Sequence, residues 1–242
     1  EFVCASIQFK QWYHFNGIKW DMLDRGVVLR QHLSNDIFKQ YCRMSGYMSD
    51  LATEITETEE RNPEKDECLR KAKSCNDLAR KLRTRNFKQD VMADCADLFH
   101  DSKFLDRLDE NKYLLGFDNG VLDLNTMEFR NARPDDYMSK SVGMNFPEKS
   151  DAMNEDKAYI KNVIKQIITD PEVLEYFWLW AASCLDGHTQ QLFPIGTGNG
   201  SNGKTLLFGF LKDTMGDYAV TLPVSLITNK RAASNSATPE IA

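Results

Sequence analysis

Two stretches of alternating residues surround Asn-Gly dipeptides and predict β-hairpins. In the first, residues 11–15 and 18–20 flank Asn16-Gly17, and this dipeptide supplies the positive φ angles of a tight turn. In the second, residues 113–117 and 121–124 flank Asn119-Gly120, and residues 127–130 add a further strand, which predicts a β-meander. The first hairpin is rich in aromatic side chains, namely Trp12, Tyr13, Phe15 and Trp20. We expect these rings to form a core, with stacking on unpaired bases as the alternative.

Helical periodicity dominates the other segments. Apolar positions in residues 27–41 predict one helix, or two short ones if Ser34-Asn35-Asp36 caps a new start. Residues 69–82 and 87–99 predict two amphipathic helices after an acidic connector that follows Ser49. Residues 156–168 and 171–185 predict two more, the second opened by Asp170-Pro171. That second helix is so apolar that we expect it to be wedged between layers.

Composition and charge narrow the classes of protein. The net charge of −6 over 242 residues argues against a protein that coats nucleic acid with its whole surface. Residues 50–67 are acidic, whereas residues 70–88 carry eight basic side chains against Asp77 alone, which indicates either a solvated helix face or a phosphate-binding one. Six scattered cysteines without a C-x-x-C pair indicate a reducing compartment rather than a zinc or disulfide framework. No apolar run is long enough for a membrane span, and the residues at both ends suggest a fragment of a longer polypeptide.

One motif carries recognisable chemistry. An apolar run, Leu192-Phe193-Pro194-Ile195, predicts a buried strand and precedes the residues that fit G-x-x-x-x-G-K-S/T: Gly198, Asn199, Gly200, Ser201, Asn202, Gly203, Lys204 and Thr205. Glycines let successive backbone N–H groups surround phosphate oxygens at the start of a helix, which the apolar spacing after Thr205 predicts. Lys204 is expected to reach the β and γ phosphates of ATP, and Thr205 to ligate Mg²⁺. A Gly-rich surface loop without a ligand is the alternative.

Hydrolysis needs more than this loop. A P-loop ATPase holds its metal with an acidic residue at the end of a second strand, and Asp213 and Asp217 follow the loop too closely to lie there. We therefore expect the chain to bind the nucleotide and, by itself, to hydrolyse it weakly or not at all.

Several segments in order resemble the superfamily 3 helicases, specifically the poxvirus-type primase-helicases of nucleocytoplasmic large DNA viruses. The similar stretches are Trp12-Tyr13-His14-Phe15, the run from Leu114 to Leu124, the turn Arg133-Pro134-Asp135-Asp136-Tyr137, and the P-loop. The resemblance implies an α+β collar of helices with β-hairpins, followed by the beginning of an α/β P-loop NTPase (AAA+) domain. It implies a hairpin and connector at 1–62, a collar at 63–153, and the motor from 154 to 242.

The resemblance also implies a function. Such proteins are ATP-dependent DNA helicases that assemble as hexameric rings, follow a primase domain in the same polypeptide, bind single-stranded and forked DNA, and unwind the duplex at a replication fork. It implies further viral replication proteins as partners, no membrane, and a cytoplasmic replication site in the infected cell. The alternatives are a module for hexamer assembly or DNA docking without activity of its own, and a P-loop kinase.

Overall fold

The computed structural model describes residues 1–55, 62–148, 151–188 and 191–228. The chain divides into two compact units, Glu1–Glu110 and Asn111–Ala242. Helices on either side of residue 62 pack together within the first unit, and the domain boundaries that the resemblance implies stay predictions. The described part is α+β, with helices and two small antiparallel sheets, as predicted.

The first sheet confirms the first predicted hairpin and adds a strand. Its strands, in the order β1-β2-β3, are β1 (Phe2–Ser6), β2 (Gln11–Phe15) and β3 (Trp20–Asp24). The Asn16 side-chain oxygen accepts hydrogen bonds from the backbone N–H groups of Ile18 and Lys19 at 2.8 and 3.0 Å. These bonds close a four-residue loop, so the second strand begins at Trp20 rather than at Ile18 as predicted.

A continuous helical segment follows the sheet. It consists of α1 (Val27–His32), a π-helical turn (Leu33–Ile37) and α2 (Phe38–Glu54). The hypothesis that Ser34-Asn35-Asp36 caps a new start is wrong, because these residues lie inside the π turn and the helix passes through them. Helix α2 also extends into the expected connector as far as Glu54, and residues 56–61 of that connector lie outside the described residues.

Three helices complete the first unit: α3 (Pro63–Leu82), α4 (Arg85–Leu98) and α5 (Phe104–Arg107). Helix α3 begins where it does because the Asn62 side chain accepts a hydrogen bond from the Glu64 N–H and Pro63 occupies the first helical position. The Ser45 hydroxyl of α2 donates to the Ala72 carbonyl of α3 at 2.8 Å. These observations confirm both amphipathic helices predicted for residues 69–99.

The aromatic side chains of the first hairpin form the core of this unit. Trp12 and Trp20 are 2% exposed, and Tyr13 is 7% exposed. Phe104, which is fully buried, has its ring centroid 4.9 Å from that of Tyr13 and 5.0 Å from that of Trp20. The core prediction is therefore confirmed for Trp12, Tyr13 and Trp20, which present no open face on which bases can stack, whereas Phe15 is only partly buried.

The second sheet opens the second unit and confirms the predicted meander. Its strands are β4 (Leu114–Phe117), β5 (Gly120–Asp123) and β6 (Glu128–Arg130). Phe117 pairs with Gly120, so the turn residues are Asp118 and Asn119, one position earlier than predicted. A Cβ at Gly120 would lie 2.4 Å from the Arg130 carbonyl oxygen, and glycine is therefore required for β6 to approach.

Four helices follow: α6 (Asp151–Ile167), α7 (Pro171–Ser183), α8 (Lys204–Met215) and α9 (Ser225–Thr228). Ile164, Phe177 and Leu207 are buried together between α6, α7 and α8. The prediction that α7 is wedged between layers is wrong, because Val173, Tyr176 and Leu179 are more than half exposed. The described residues cover only the face of α7 that carries Phe177.

The turn after α8 contacts the second sheet. The Tyr218 hydroxyl accepts a hydrogen bond from the Gly116 N–H at 3.0 Å and donates to the Lys140 carbonyl at 3.2 Å. No helix in the described ranges is both long and apolar enough to cross a membrane.

Candidate nucleotide-binding loop

The predicted helix after the P-loop motif is confirmed. Helix α8 starts at Lys204, and Gly203 caps it in the left-handed conformation with φ 81°. A Cβ at Gly203 would lie 2.8 Å from Cγ1 of Ile167, at the end of α6. Position 203 therefore needs glycine for two reasons. Other residues adopt its backbone angle only at a cost in free energy, and α6 packs too closely to leave room for a side chain.

The Lys204 side chain folds back into the loop. Its Nζ donates to the carbonyl oxygens of Gly198 at 3.1 Å and Asn199 at 3.0 Å, and to the Asn202 side-chain oxygen at 2.7 Å. An ammonium group has three protons, and these three oxygens accept all of them. A Cβ at Gly198 would lie 2.5 Å from Nδ2 of Asn202, so the loop is wrapped tightly around the lysine.

The start of α8 offers backbone donors to an anion. No side chain caps this end of the helix, and the first N–H groups of an α-helix have no partner within the helix. Thr205, in the first turn, is exposed, and Ser201 adopts a left-handed φ of 59° in the preceding turn. Such an arrangement suits a phosphate group, because the helix dipole and the backbone N–H groups both favour negative charge.

The strand predicted before the motif is absent from the described structure. Residues 191–199 have no regular secondary structure, and Leu192, Phe193 and Ile195 are 65%, 76% and 73% exposed. A strand needs a neighbouring strand for its backbone hydrogen bonds, and both sheets of the described residues are complete without this segment. The prediction of a buried strand at 192–195 is therefore wrong for this structure.

A cavity of about 370 Å³ adjoins the loop. Asn202 and Lys204 line it on the loop side, while α7 and α8 contribute the aromatic side chains of Tyr176, Trp180 and Phe208. This volume falls within the range of small-molecule sites, and an apolar wall beside a cation suits a ligand with one flat and one anionic end. Sequence patterns did not indicate these aromatic residues, because their spacing on α7 and α8 resembles that of ordinary core positions.

The turn at residues 133–137, one of the segments that resemble the helicase family, serves the second sheet rather than the loop. Arg130 of β6 donates two hydrogen bonds to the Asp136 carboxylate, at 2.8 and 2.6 Å, and the Arg133 N–H donates a third at 2.8 Å. Burial by itself raises the pKa of Asp136, but these hydrogen bonds and the nearby arginine charges outweigh it and lower the pKa overall. The Asp136 side chain is 9% exposed and the Arg130 side chain is 30% exposed, so it is the carboxylate that is largely shielded from solvent.

Comparison with known proteins places the chain in a family. The family model described as D5 N terminal like matches residues 1–170. The chain is 35% identical over 243 residues to a protein of Acanthamoeba polyphaga mimivirus named "Putative helicase". The aligned region covers 99% of this chain and 24% of that relative. It is 30% identical over 172 residues to a protein of Invertebrate iridescent virus 6 with the same name, covering 71% of this chain and 18% of the relative.

A further relative carries a different name. A protein of African swine fever virus named "Putative primase" is 29% identical over 161 residues, covering 62% of this chain and 16% of the relative. The chain thus spans about a quarter or less of the length of these three relatives. Since the family model covers more than half of the chain and the relatives come from large DNA viruses, the chain belongs to the D5 N-terminal-like family of viral primase-helicase proteins.

Proposed function

We propose that this chain is the region of a viral replication helicase in which the loop at residues 196–205 binds ATP with Mg²⁺. The observation that carries the proposal is the position of Lys204, whose Nζ lies inside a glycine-containing loop at the start of α8, where no side chain caps the helix. The family relationship supports the same reading, since relatives that cover most of this chain are named as helicases.

The residues of the loop fit the triphosphate. The Lys204 ammonium supplies the charge, and the first N–H groups of α8 supply hydrogen-bond donors for the β and γ phosphates. The exposed hydroxyl of Thr205 is a hard oxygen ligand of the kind that Mg²⁺ takes together with nucleotide oxygens. ATP bound with its metal supplies the free energy of phosphoanhydride hydrolysis.

The cavity beside the loop fits the nucleoside. Tyr176, Trp180 and Phe208 provide flat apolar surface within the same cavity that Lys204 enters. A base that leaves water for such a wall is stabilised by apolar burial and by ring stacking. We place the adenine there and the phosphates along the loop.

The motor itself is proposed for the longer protein. Ring assembly, unwinding of forked DNA and a primase domain in the same polypeptide follow from the superfamily 3 resemblance. The exposed apolar side chains of α7 and α8, such as Leu179 at 66% and Leu206 at 61%, leave surface on which further elements of an AAA+ domain can pack.

An unwinding assay tests the proposal in the longer protein. Strand separation of a forked duplex is expected only with ATP and Mg²⁺, and Lys204→Ala is expected to abolish it. Lys212→Ala, which removes an exposed lysine from the last turn of the same helix, is the matched control and is expected to unwind normally. Unwinding that survives Lys204→Ala would contradict the proposed role of the loop.

A further inference from the structure

A second cavity, of about 730 Å³, lies within the first unit and is strongly basic. We call it the basic pocket, and six cationic side chains line it: Lys10, Arg25, Arg30, Arg83, Arg85 and Lys88. Asp97 is the one carboxylate among the lining residues that the structure describes. This concentration of positive charge contrasts with the net charge of −6 of the whole chain.

The cations reach the pocket from distant parts of the sequence. Lys10 precedes β2, Arg25 follows β3, Arg30 lies in α1, and Arg85 begins α4. Lys10 and Arg25 have left-handed backbones, with φ 52° and 50°. For residues other than glycine this conformation costs about 1 kcal/mol, and such positions are concentrated at functional sites.

The positive charge of the pocket is not neutralised within the described residues. Among the described residues, one cation of the pocket has a carboxylate within the ion-pairing distance of 4.0 Å. This cation is Arg25, whose Nε lies 3.9 Å from the carboxylate of Asp24, a largely exposed residue. Neutral groups hold two of the cations, since Lys88 Nζ donates to the Ser34 hydroxyl at 3.0 Å and the Arg83 guanidinium lies 3.9 Å from the Phe38 ring centre.

Two basic residues elsewhere on α3 are arranged differently. Lys71 pairs with Glu67 at 2.8 Å, and Arg80 pairs with Asp77 at 2.5 Å. Cations gathered without such partners repel one another, and a bound anion relieves that repulsion. The structure thus divides the basic stretch at 70–88 into an ordinary solvated face and a part that faces the pocket.

The size and the floor of the pocket indicate what kind of anion it takes. Six cations spread around this volume exceed what one phosphate group can contact, and they match a chain of successive phosphates. Met92 and Ala96, which are partly exposed, contribute apolar floor beside which a sugar can lie. A flexible single strand can follow such a concave surface, whereas a stiff duplex cannot enter it.

We propose that the basic pocket binds the phosphodiester backbone of single-stranded nucleic acid. This assignment does not depend on nucleotide binding at residues 196–205, because all of its residues lie in the other compact unit. In the full protein the pocket holds one of the separated strands while the motor acts.

Fluorescence anisotropy with a labelled oligothymidylate of about 20 nucleotides tests the proposal on the 242-residue chain without ATP. The pocket variant is Lys10→Glu with Arg85→Glu. The matched control is Lys73→Glu with Lys81→Glu, which makes the same change of charge at exposed α3 positions outside the pocket. We expect the pocket variant to bind the oligonucleotide about tenfold more weakly or worse, and the slope of log K against log salt concentration to become shallower by about 1.4. The control variant is expected to bind nearly as tightly as the natural chain.

Two outcomes would overturn the assignment to the pocket: equal weakening in both variants, which indicates charge in general, or no weakening in the pocket variant. If the Glu variants show no cooperative unfolding transition, the same comparison is made with glutamine: Lys10→Gln with Arg85→Gln is the pocket variant, and Lys73→Gln with Lys81→Gln is the control.

A competition experiment distinguishes a nucleic acid from a small polyphosphate as the source of the bound phosphate. Displacement of the strand by free tripolyphosphate at a matched phosphate concentration would assign the pocket to a small polyphosphate instead of a nucleic acid.

Discussion

Ile167 at the end of α6 and Gly203 at the start of α8 pack so closely that no side chain fits at position 203. A Cβ there would lie 2.8, 3.0 and 3.2 Å from three carbon atoms of Ile167. The second glycine of the P-loop motif is thus fixed by the packing of a helix as well as by its own φ of 81°. The loop that ends at Gly203 and the α6–α8 core are therefore one structural unit.

Gly203→Ala is expected to lower the free energy of unfolding of the second unit by about 1–3 kcal/mol, because alanine meets both the left-handed backbone and Ile167. Gly200→Ala is the matched control in the same loop. No atom lies within 4 Å of a Cβ at position 200, and its φ is not in the left-handed region. Urea unfolding of the two variants provides the comparison.

The double variant Gly203→Ala with Ile167→Ala separates the two causes. Removal of the Ile167 side chain relieves the contact but leaves the backbone angle, so the two substitutions are expected to cost less together than the sum of each alone. Strict additivity would contradict the packing explanation. A loss in Gly200→Ala as large as that in Gly203→Ala would contradict the assignment of strain to position 203.

Asp136→Asn is expected to destabilise the second sheet by about 1–3 kcal/mol at neutral pH, because it removes the negative charge that accepts from Arg130 and Arg133. The pKa of Asp136 is lower in the folded chain than its ordinary value. Its stabilising contribution is therefore complete above that ordinary value and is lost as the pH falls through the lowered pKa.

Unfolding free energies measured across the acidic range test this dependence. In Asp136→Asn, the decrease in unfolding free energy with falling pH should be smaller, because the contribution of this carboxylate is missing. Asp135→Asn, the exposed neighbour, should leave both the stability and its pH profile almost unchanged. An acid profile of Asp136→Asn that parallels that of the natural chain would count against the pair as its source.

Phe104→Ala is expected to cost about 3–5 kcal/mol of unfolding free energy, since it leaves a cavity beneath Tyr13 and Trp20. Phe9→Ala removes a ring of the same size that is 77% exposed, and it should cost about 0.5 kcal/mol or less. Thermal or urea unfolding of the two variants measures the difference. Similar losses in both would show that the first unit is not organised around Phe104.

Local chemistry made several elements predictable from the sequence. Asp170-Pro171 predicts the start of α7, and the Asp170 side chain does accept from the N–H groups of Glu172 and Val173. The glycine and lysine of the P-loop motif likewise predict the start of α8. Each of these signals depends on residues close together in the chain, so no tertiary information was needed.

Other features depend on tertiary partners that a local pattern does not contain. Residues 192–195 have the composition of a buried strand, yet the described structure provides no strand beside them, and they remain exposed. The basic pocket combines Lys10 with Lys88, whose separation in sequence hides their proximity. The π turn at Leu33–Ile37 also overrides a sequence that favours a helix cap; Leu29 in α1 and Leu33, the first residue of the turn, are both buried.

Calorimetric titration of the 242-residue chain with ATP at saturating Mg²⁺ tests the central claim most directly. Loss of a charged hydrogen-bond donor costs about 1.5–3 kcal/mol, so Lys204→Ala is expected to weaken binding about 10- to 100-fold. Lys212→Ala on the same helix should bind ATP as the natural chain does. Absence of any binding heat with the natural chain, or undiminished affinity in Lys204→Ala, would contradict the proposal that residues 196–205 bind the nucleotide.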